Sequence, residues 1–169
     1  GFPGTAQNSI LGHSQFSIFG YKSDGLFQSQ EDIDSSPEQV GARPGGIKFK
    51  DLNGDNVIDT DDRDFIGTTL PDLEYGIRIN LGYKNWDFSV FGSGVTGRIG
   101  QDPYISWNNF VQGRENAGMG VLDAWTPNNT NTDIPSLSLA LNDLRTSDYL
   151  FRKNSYFKIR NAQLGYSLS

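Results

Sequence analysis

The densest run of ligand-type side chains in this sequence is Asp51-Leu-Asn53-Gly-Asp55-Asn-Val57-Ile-Asp59-Thr-Asp-Asp62. Counting Asp51 as position 1, side-chain oxygens fall at positions 1, 3, 5, 9 and 12, on Asp51, Asn53, Asp55, Asp59 and Asp62. Val57 at position 7 supplies a backbone carbonyl. This is the ligand order of an EF-hand-type calcium loop, because Ca2+ takes six to eight hard oxygens. Ile58, at position 8, is apolar and suited to anchoring the loop on the body of the protein. There are two departures. Position 6 is Asn56 rather than Gly, although Asn tolerates positive φ better than most residues. Position 12 is Asp62, shorter than the usual Glu, as in dockerin-type loops. Asp51–Asp64 holds six Asp and one Arg, a local charge of −5 out of a net −6 for the chain. Two carboxylates ~5 Å apart repel by about 3 kcal/mol at an effective dielectric near 20. Such crowding favours a bound cation over a merely solvated acidic turn. The expectation is structural Ca2+ held by Asp51, Asn53, Asp55, Val57, Asp59 and Asp62.

Other chemistries find little support. The chain has no Cys, which removes disulfides, thiolate metal sites and cysteine catalysis, and its one His, His13, has no nucleophile-elbow context. A net charge of −6 argues against nucleic acid, whose phosphates need Lys and Arg. Gly92-Ser-Gly94-Val-Thr-Gly97 matches a dinucleotide fingerprint in letters. That fingerprint must open a helix, and Gly100 and Pro103 follow too soon for one. It reads as glycine in a strand-to-loop bend. No carboxylate pair stands out for glycoside hydrolysis. Trp107, Trp125 and Tyr104 could stack on sugar rings or pin a loop, and pinning is the simpler role. The chain is not expected to be an enzyme.

Around these residues the chain of 169 reads as short strands and long turns. Gly makes up about 12% of it, with 20 residues, and aromatics another 12%; the usual Gly share is about 7%. No stretch approaches the ~18 apolar residues of a membrane helix. There is no signal peptide and the first residue is Gly1, so a fragment or processed piece is expected. Four segments read as strands: Ser14–Tyr21, Tyr75–Tyr83, Trp86–Val95 and Tyr156–Leu168. In the second, Tyr75, Ile77, Ile79, Leu81 and Tyr83 share one face. Lys84-Asn85 makes a two-residue turn, so Tyr83 and Trp86 become cross-strand partners. Trp86, Phe88 and Val90 then join the same apolar face, opposite Arg78, Asn80, Asp87 and Ser89. The last segment changes phase near Arg160-Asn161, which predicts a bulge or bend.

Two long polar segments, 22–74 and 96–155, separate these strands and are expected to be loops. Long loop, tight turn, long loop is the asymmetry of outer-membrane barrels. Strand parity places both long loops on one side. A soluble β-sandwich with its apolar face turned inward shows the same alternation, and periodicity alone favours the sandwich, because the barrel signal per segment is weak.

The residues themselves then point further. Phe19-Gly-Tyr21-Lys-Ser-Asp24-Gly-Leu-Phe27-Gln28 precedes Pro44-Gly-Gly-Ile-Lys-Phe-Lys-Asp51-Leu-Asn-Gly-Asp55. Ile66-Gly67, Pro71, Tyr75-Gly76 and Asn80-Leu-Gly-Tyr83-Lys-Asn-Trp86-Asp follow. Trp125-Thr-Pro-Asn, Asn131-Thr-Asp-Ile-Pro135 and Ser147-Asp-Tyr-Leu come next, and Ser155-Tyr-Phe-Lys-Ile-Arg-Asn161-Ala-Gln-Leu-Gly165-Tyr166 closes the series. In this order they resemble the C-terminal part of the SusC/RagA family of TonB-dependent outer-membrane transporters, over nearly the whole chain.

The resemblance implies a mainly β, antiparallel segment of a 22-stranded transmembrane barrel, carrying one EF-hand- or dockerin-like calcium loop. Its parts would be an extracellular loop at 22–74 with the calcium-type motif, a β-hairpin at 75–95, a second extracellular loop at 96–155 and a strand at 156–169. Tyr83 and Trp86 would sit in the periplasmic aromatic girdle. The parent would lie in the bacterial outer membrane, in contact with lipid. It would work with TonB and a SusD-like lipoprotein lid to import glycans or peptides. The plug, the TonB-contacting segment and most strands of such a barrel are absent from these 169 residues. The alternative is a soluble, secreted, calcium-stabilised β module that binds carbohydrate through Trp107 or Trp125. A dockerin-like module would need a second copy of the loop, and the sequence has one.

Overall fold

A computed structural model describes residues 12–103, 105, 118–138 and 141–168. Their strands are β1 (Ser17–Gly20), β2 (Ser23–Leu26), β3 (Ile47–Phe49), β4 (Asp64–Thr68), β5 (Leu73–Tyr83), β6 (Trp86–Thr96), β7 (Ile99–Gln101), β8 (Phe151–Lys153) and β9 (Tyr156–Tyr166). One short helix, α1 (Gln30–Asp34), lies between β2 and β3. The chain divides into two compact units, one of residues 1–67 and 101–152, the other of 68–100 and 153–169.

The first unit is built almost wholly from the two segments read as loops. Tyr21, Leu26, Ile47, Phe49, Ile58, Ile105, Trp125 and Leu150 form its buried core. Each fully buried large apolar side chain contributes about 1.5–3 kcal/mol. Residues so far apart in sequence close one core, so the described parts of 22–74 and 96–155 contribute folded structure. β2 pairs with β3. The Gln39 side chain continues that pairing, with Nε2 donating to the Ile47 carbonyl at 2.7 Å and Oε1 accepting from Phe49 N–H at 2.9 Å. Ser29 caps α1, its Oγ accepting from Asp32 N–H at 3.2 Å. Asp143 is buried, accepts from Ile47 N–H at 2.9 Å and pairs with Arg43. Burial pushes its carboxyl above the ordinary value, outweighing Ile47 N–H, Arg43 and Arg145. The first strand read from sequence, Ser14–Tyr21, shortens to β1, which pairs with β4.

The second unit is one antiparallel sheet in the order β5-β6-β9. Each strand has 11 residues. The two-residue turn at Lys84-Asn85, with Lys84 at φ 51°, sets Tyr83 opposite Trp86. Asn85 also holds the end of β9, its Nδ2 donating to the Ser167 carbonyl at 2.9 Å.

Candidate metal loop and membrane face

The acidic loop is folded by its own side chains. Asp51 accepts from Gly54 N–H at 2.6 Å and Asn56 N–H at 2.8 Å. Asn53 Oδ1 accepts from Asp55 N–H at 3.0 Å, and Asp55 Oδ1 from Val57 N–H at 2.9 Å. Short polar side chains bonding backbone two or three residues onward are what bend the chain here. Gly54 and Asn56 take the positive φ values the curl demands, 80° and 65°. Asn56 thus meets the conformational demand of position 6 without being Gly. Desolvation opposes the charge of Asp51, but the backbone N–H groups of Gly54, Asn56, Asp55 and Asn53 outweigh it and hold the carboxyl below its ordinary value.

The far end is fixed by Asp62, which is 0% exposed. Its Oδ1 accepts from Leu52 N–H and its Oδ2 from Asp59 N–H, each at 2.8 Å. One carboxylate therefore ties position 2 to position 9 and closes the loop. Ile58 is 4% exposed and belongs to the core, so position 8 anchors the loop as its apolar character implied. Glu38 forms a parallel bridge with Val57, and Ile58 N–H donates to the Glu38 carbonyl at 2.8 Å. Among the described residues, no three His, Cys, Asp or Glu side chains converge as a metal cluster. In donor chemistry and loop order, the oxygens of Asp51, Asn53, Asp55, Val57, Asp59 and Asp62 suit a hard divalent cation.

The sheet of the second unit has two unlike faces. Directly paired residues share a face, and the register stacks Tyr83/Trp86/Tyr166, Leu81/Phe88/Leu164, Ile79/Val90/Ala162 and Ile77/Gly92/Ile159 into apolar rungs. The pairing of β6 with β9 shifts between Phe91 and Gly92, so Phe91 opposes Asn161 while Gly92 opposes Ile159. This bulge sits where the sequence changes phase, and it returns Ile159 and Phe157 to the apolar face. Leu81 is 61% exposed and Leu164 68%, so nothing in the sheet's own unit covers this face. The Trp86 and Tyr166 rings meet at 4.8 Å at the turn end.

Gly92 and Gly94 lie inside β6, not in a bend, which corrects the reading from sequence. A Cβ on Gly92 would stand 2.3 Å from the Phe157 ring, and one on Gly94 2.8 Å from the Tyr75 ring. Those two rings stack across the glycines at 5.9 Å. The missing side chains make room for aromatics from both neighbouring strands. The loop's turn comes later, at Gly97 with φ 81°.

Trp125 is 7% exposed and donates from Nε1 to Gln28 Oε1 at 3.0 Å. It pins its segment and offers no open ring face for a sugar. Trp107 and Tyr104 lie outside the described residues. Sequence reasoning passed over the buried Gln39 and Asp143 and the half-buried Asp148. Asp148 Oδ1 accepts from Ser23 N–H at 2.9 Å, 125 residues away along the chain. No local pattern announces such partners.

No family model matches the chain. It is 39% identical over 126 residues to TonB-dependent receptor P26 of Formosa agariphila, covering 75% of this chain and 13% of that protein. It is 26% identical over 149 residues to TonB-dependent receptor SusC of Bacteroides thetaiotaomicron, covering 88% of this chain and 14% of that protein. In fold it is similar to a chain of the RagAB peptide transporter, with a TM-score of 0.67 and 17% identity over 90% of this chain and 16% of that one. The chain therefore spans less than a fifth of each of these three.

Proposed function

Because the chain belongs to the SusC/RagA family of TonB-dependent receptors, we propose that it supplies part of the wall and the outer loops of an outer-membrane transporter. The observation that carries this reading is the run of uncovered apolar rungs across β5, β6 and β9. A membrane strand needs about 9–11 residues at a tilt near 45°, and each of these has 11. Eleven residues at ~3.3 Å each extend ~36 Å, and that tilt brings the height to ~25 Å, the apolar band of such barrels. The apolar face meets lipid and the face of Arg78, Asn80 and Ser89 turns to the lumen. The Tyr83/Trp86/Tyr166 rung forms the periplasmic girdle, with Lys84-Asn85 as a periplasmic turn. Residues 22–74 and 96–155 then lie outside the cell, 75–95 form a wall hairpin and 156–169 a wall strand. The barrel closes only with further strands, since an open edge in lipid leaves backbone groups unsatisfied.

The complete receptor imports glycans or peptides, driven by TonB and covered by a SusD-like lipoprotein. The similarity to SusC and to RagAB supports transport with such a partner. Its role is transport and not catalysis. The acidic loop binds Ca2+ through Asp51, Asn53, Asp55, Val57, Asp59 and Asp62, and the ion neutralises the loop's charge and stiffens it.

An antibody against 51–64 tests the reading. It should stain intact cells and detect an outer-membrane band far above 18.7 kDa. A soluble or secreted band near 18.7 kDa would instead indicate a self-contained module. For the ion, Asp51→Ala should abolish any stability gain from Ca2+, and a melting curve unchanged by chelator in the parent would refute binding.

A further inference from the structure

We propose that the polar face of the β5-β6-β9 sheet carries a binding site for small solutes bearing carboxylate or sulfate groups, built on Arg78, Lys158 and Arg160. This rests on the reading that this face lines the lumen. The register puts Lys158 opposite Ser93 and Asn161 opposite Phe91, all on the polar side. Arg78 also opposes Phe91, from β5. Arg160 is the extra residue of the bulge between those two pairs. In a regular strand Lys158 and Arg160 would share a face with Ala162 and Leu164. The bulge instead leaves Arg160 on the polar side, where its Nε donates to Ser93 Oγ at 3.1 Å. Re-aiming one side chain is a common use of a bulge.

The result is three cations within neighbouring rungs of a chain whose net charge is −6. Their contacts within the sheet are to neutral groups. Arg78 lies 5.5 Å from the Phe91 ring and Lys158 4.9 Å from the Tyr156 ring. Of the carboxylates on the same face, Asp87 is at a far rung, while Glu74 borders the larger cleft with Arg160 and offsets one of the three positive charges. Asp87 opposes Gly82 and Gly165, and Glu74 opposes Val95. Asp87 stands four residues from Arg78 along the ladder, about 13 Å at the strand rise, and Glu74 one same-face rung beyond Lys158. The four salt bridges found among the described residues all lie elsewhere.

The face is also shaped. A cleft of about 430 Å³ opens beside Arg160, Ser93 and Glu74, and a smaller one of about 100 Å³ lies beside Arg78, Asn161 and Gln163. Phe91 borders both. The larger cleft falls within the usual range for small-ligand sites, ~300–1,000 Å³. Guanidinium groups bind carboxylate and sulfate oxygens through paired N–H donors, and Phe91 and Tyr156 offer ring surface to the solute's carbon skeleton. An anionic sugar or small organic acid fits that combination better than a neutral one.

The test uses the complete receptor in detergent, with tetragalacturonate as anionic probe and maltotetraose as neutral control. First, Ser89→Cys should react with a water-soluble maleimide while Leu81→Cys does not; the reverse would sink the lumen reading itself. With that established, the parent should bind tetragalacturonate more tightly than maltotetraose, and Arg160→Gln with Lys158→Gln should weaken the anionic probe roughly tenfold or more. Arg160→Lys should restore part of that affinity. Equal affinity of the parent for both probes would overturn the proposal, as would a double variant that leaves tetragalacturonate binding unchanged. So would a loss shared equally by both probes, which would mark the cations as partners of resident carboxylates.

Discussion

Asp62 gives the sharpest handle on the acidic loop. Its two oxygens each accept one backbone N–H at 2.8 Å, from Leu52 and Asp59, in a fully buried position. A hydrogen bond to a charged acceptor is worth about 1.5–3 kcal/mol, and a buried donor left without a partner loses a similar amount. Asp62→Asn keeps one acceptor and turns an NH2 group toward the other N–H, so it should lower the free energy of loop opening by about 2 kcal/mol. Asp62→Ala removes both and should cost about 4 kcal/mol. Hydrogen exchange of peptides spanning 50–64 in the complete receptor, in calcium-free buffer, reads this directly. The 2 kcal/mol loss corresponds to roughly 30-fold faster exchange at Leu52 and Asp59. The alanine variant should exceed the asparagine variant by a further order of magnitude or more, up to the limit set by global unfolding. Equal exchange in parent and both variants would refute the closure of the loop by this carboxylate.

Other consequences follow from the same geometry. Gly92→Ala places a Cβ 2.3 Å from the Phe157 ring, which should destabilise the sheet by about 1–3 kcal/mol; chemical unfolding should show Phe157→Ala relieving most of that added cost. Ile79→Arg, on the uncovered apolar face, should cost about 2–4 kcal/mol near the bilayer midplane, seen as lost outer-membrane assembly, whereas Asn80→Arg should assemble normally. Lys48 above all, then Gln28 N–H, holds the Asp32 carboxyl below its ordinary value of 3.8. The folded state therefore binds that proton less readily than the unfolded one. The contribution is present above the ordinary value and fades as pH falls through and below it. Asp32→Asn should remove that part of the acid-side loss in a pH series of melting curves.

The sheet was legible in the sequence because its signals are local. Alternation over Tyr75–Tyr83, a two-residue turn and the phase change at Arg160-Asn161 each concern adjacent residues, and the register follows from them. Ile58 was legible for the same reason, as an apolar side chain in an otherwise polar loop. The first unit was not. Its core joins Tyr21 to Trp125 and Leu150. Its polar contacts come from afar: the buried Asp143 serves Ile47, 96 residues away, and the half-buried Asp148 serves Ser23. Polar composition there signals a surface loop, and only the partners reveal folded structure. The glycines of β6 misled because a glycine's letter marks a bend as readily as room for a neighbour's ring.

In the proposed placement β5, β6 and β9 cross the outer membrane with one face in lipid. A cysteine scan along Ile77–Tyr83 in intact outer membranes tests it most directly. A water-soluble maleimide should label Arg78, Asn80 and Gly82 positions, while a lipid-phase reagent labels Ile77, Ile79 and Leu81. Uniform labelling by the soluble reagent, or alternation in the opposite phase, would contradict the account.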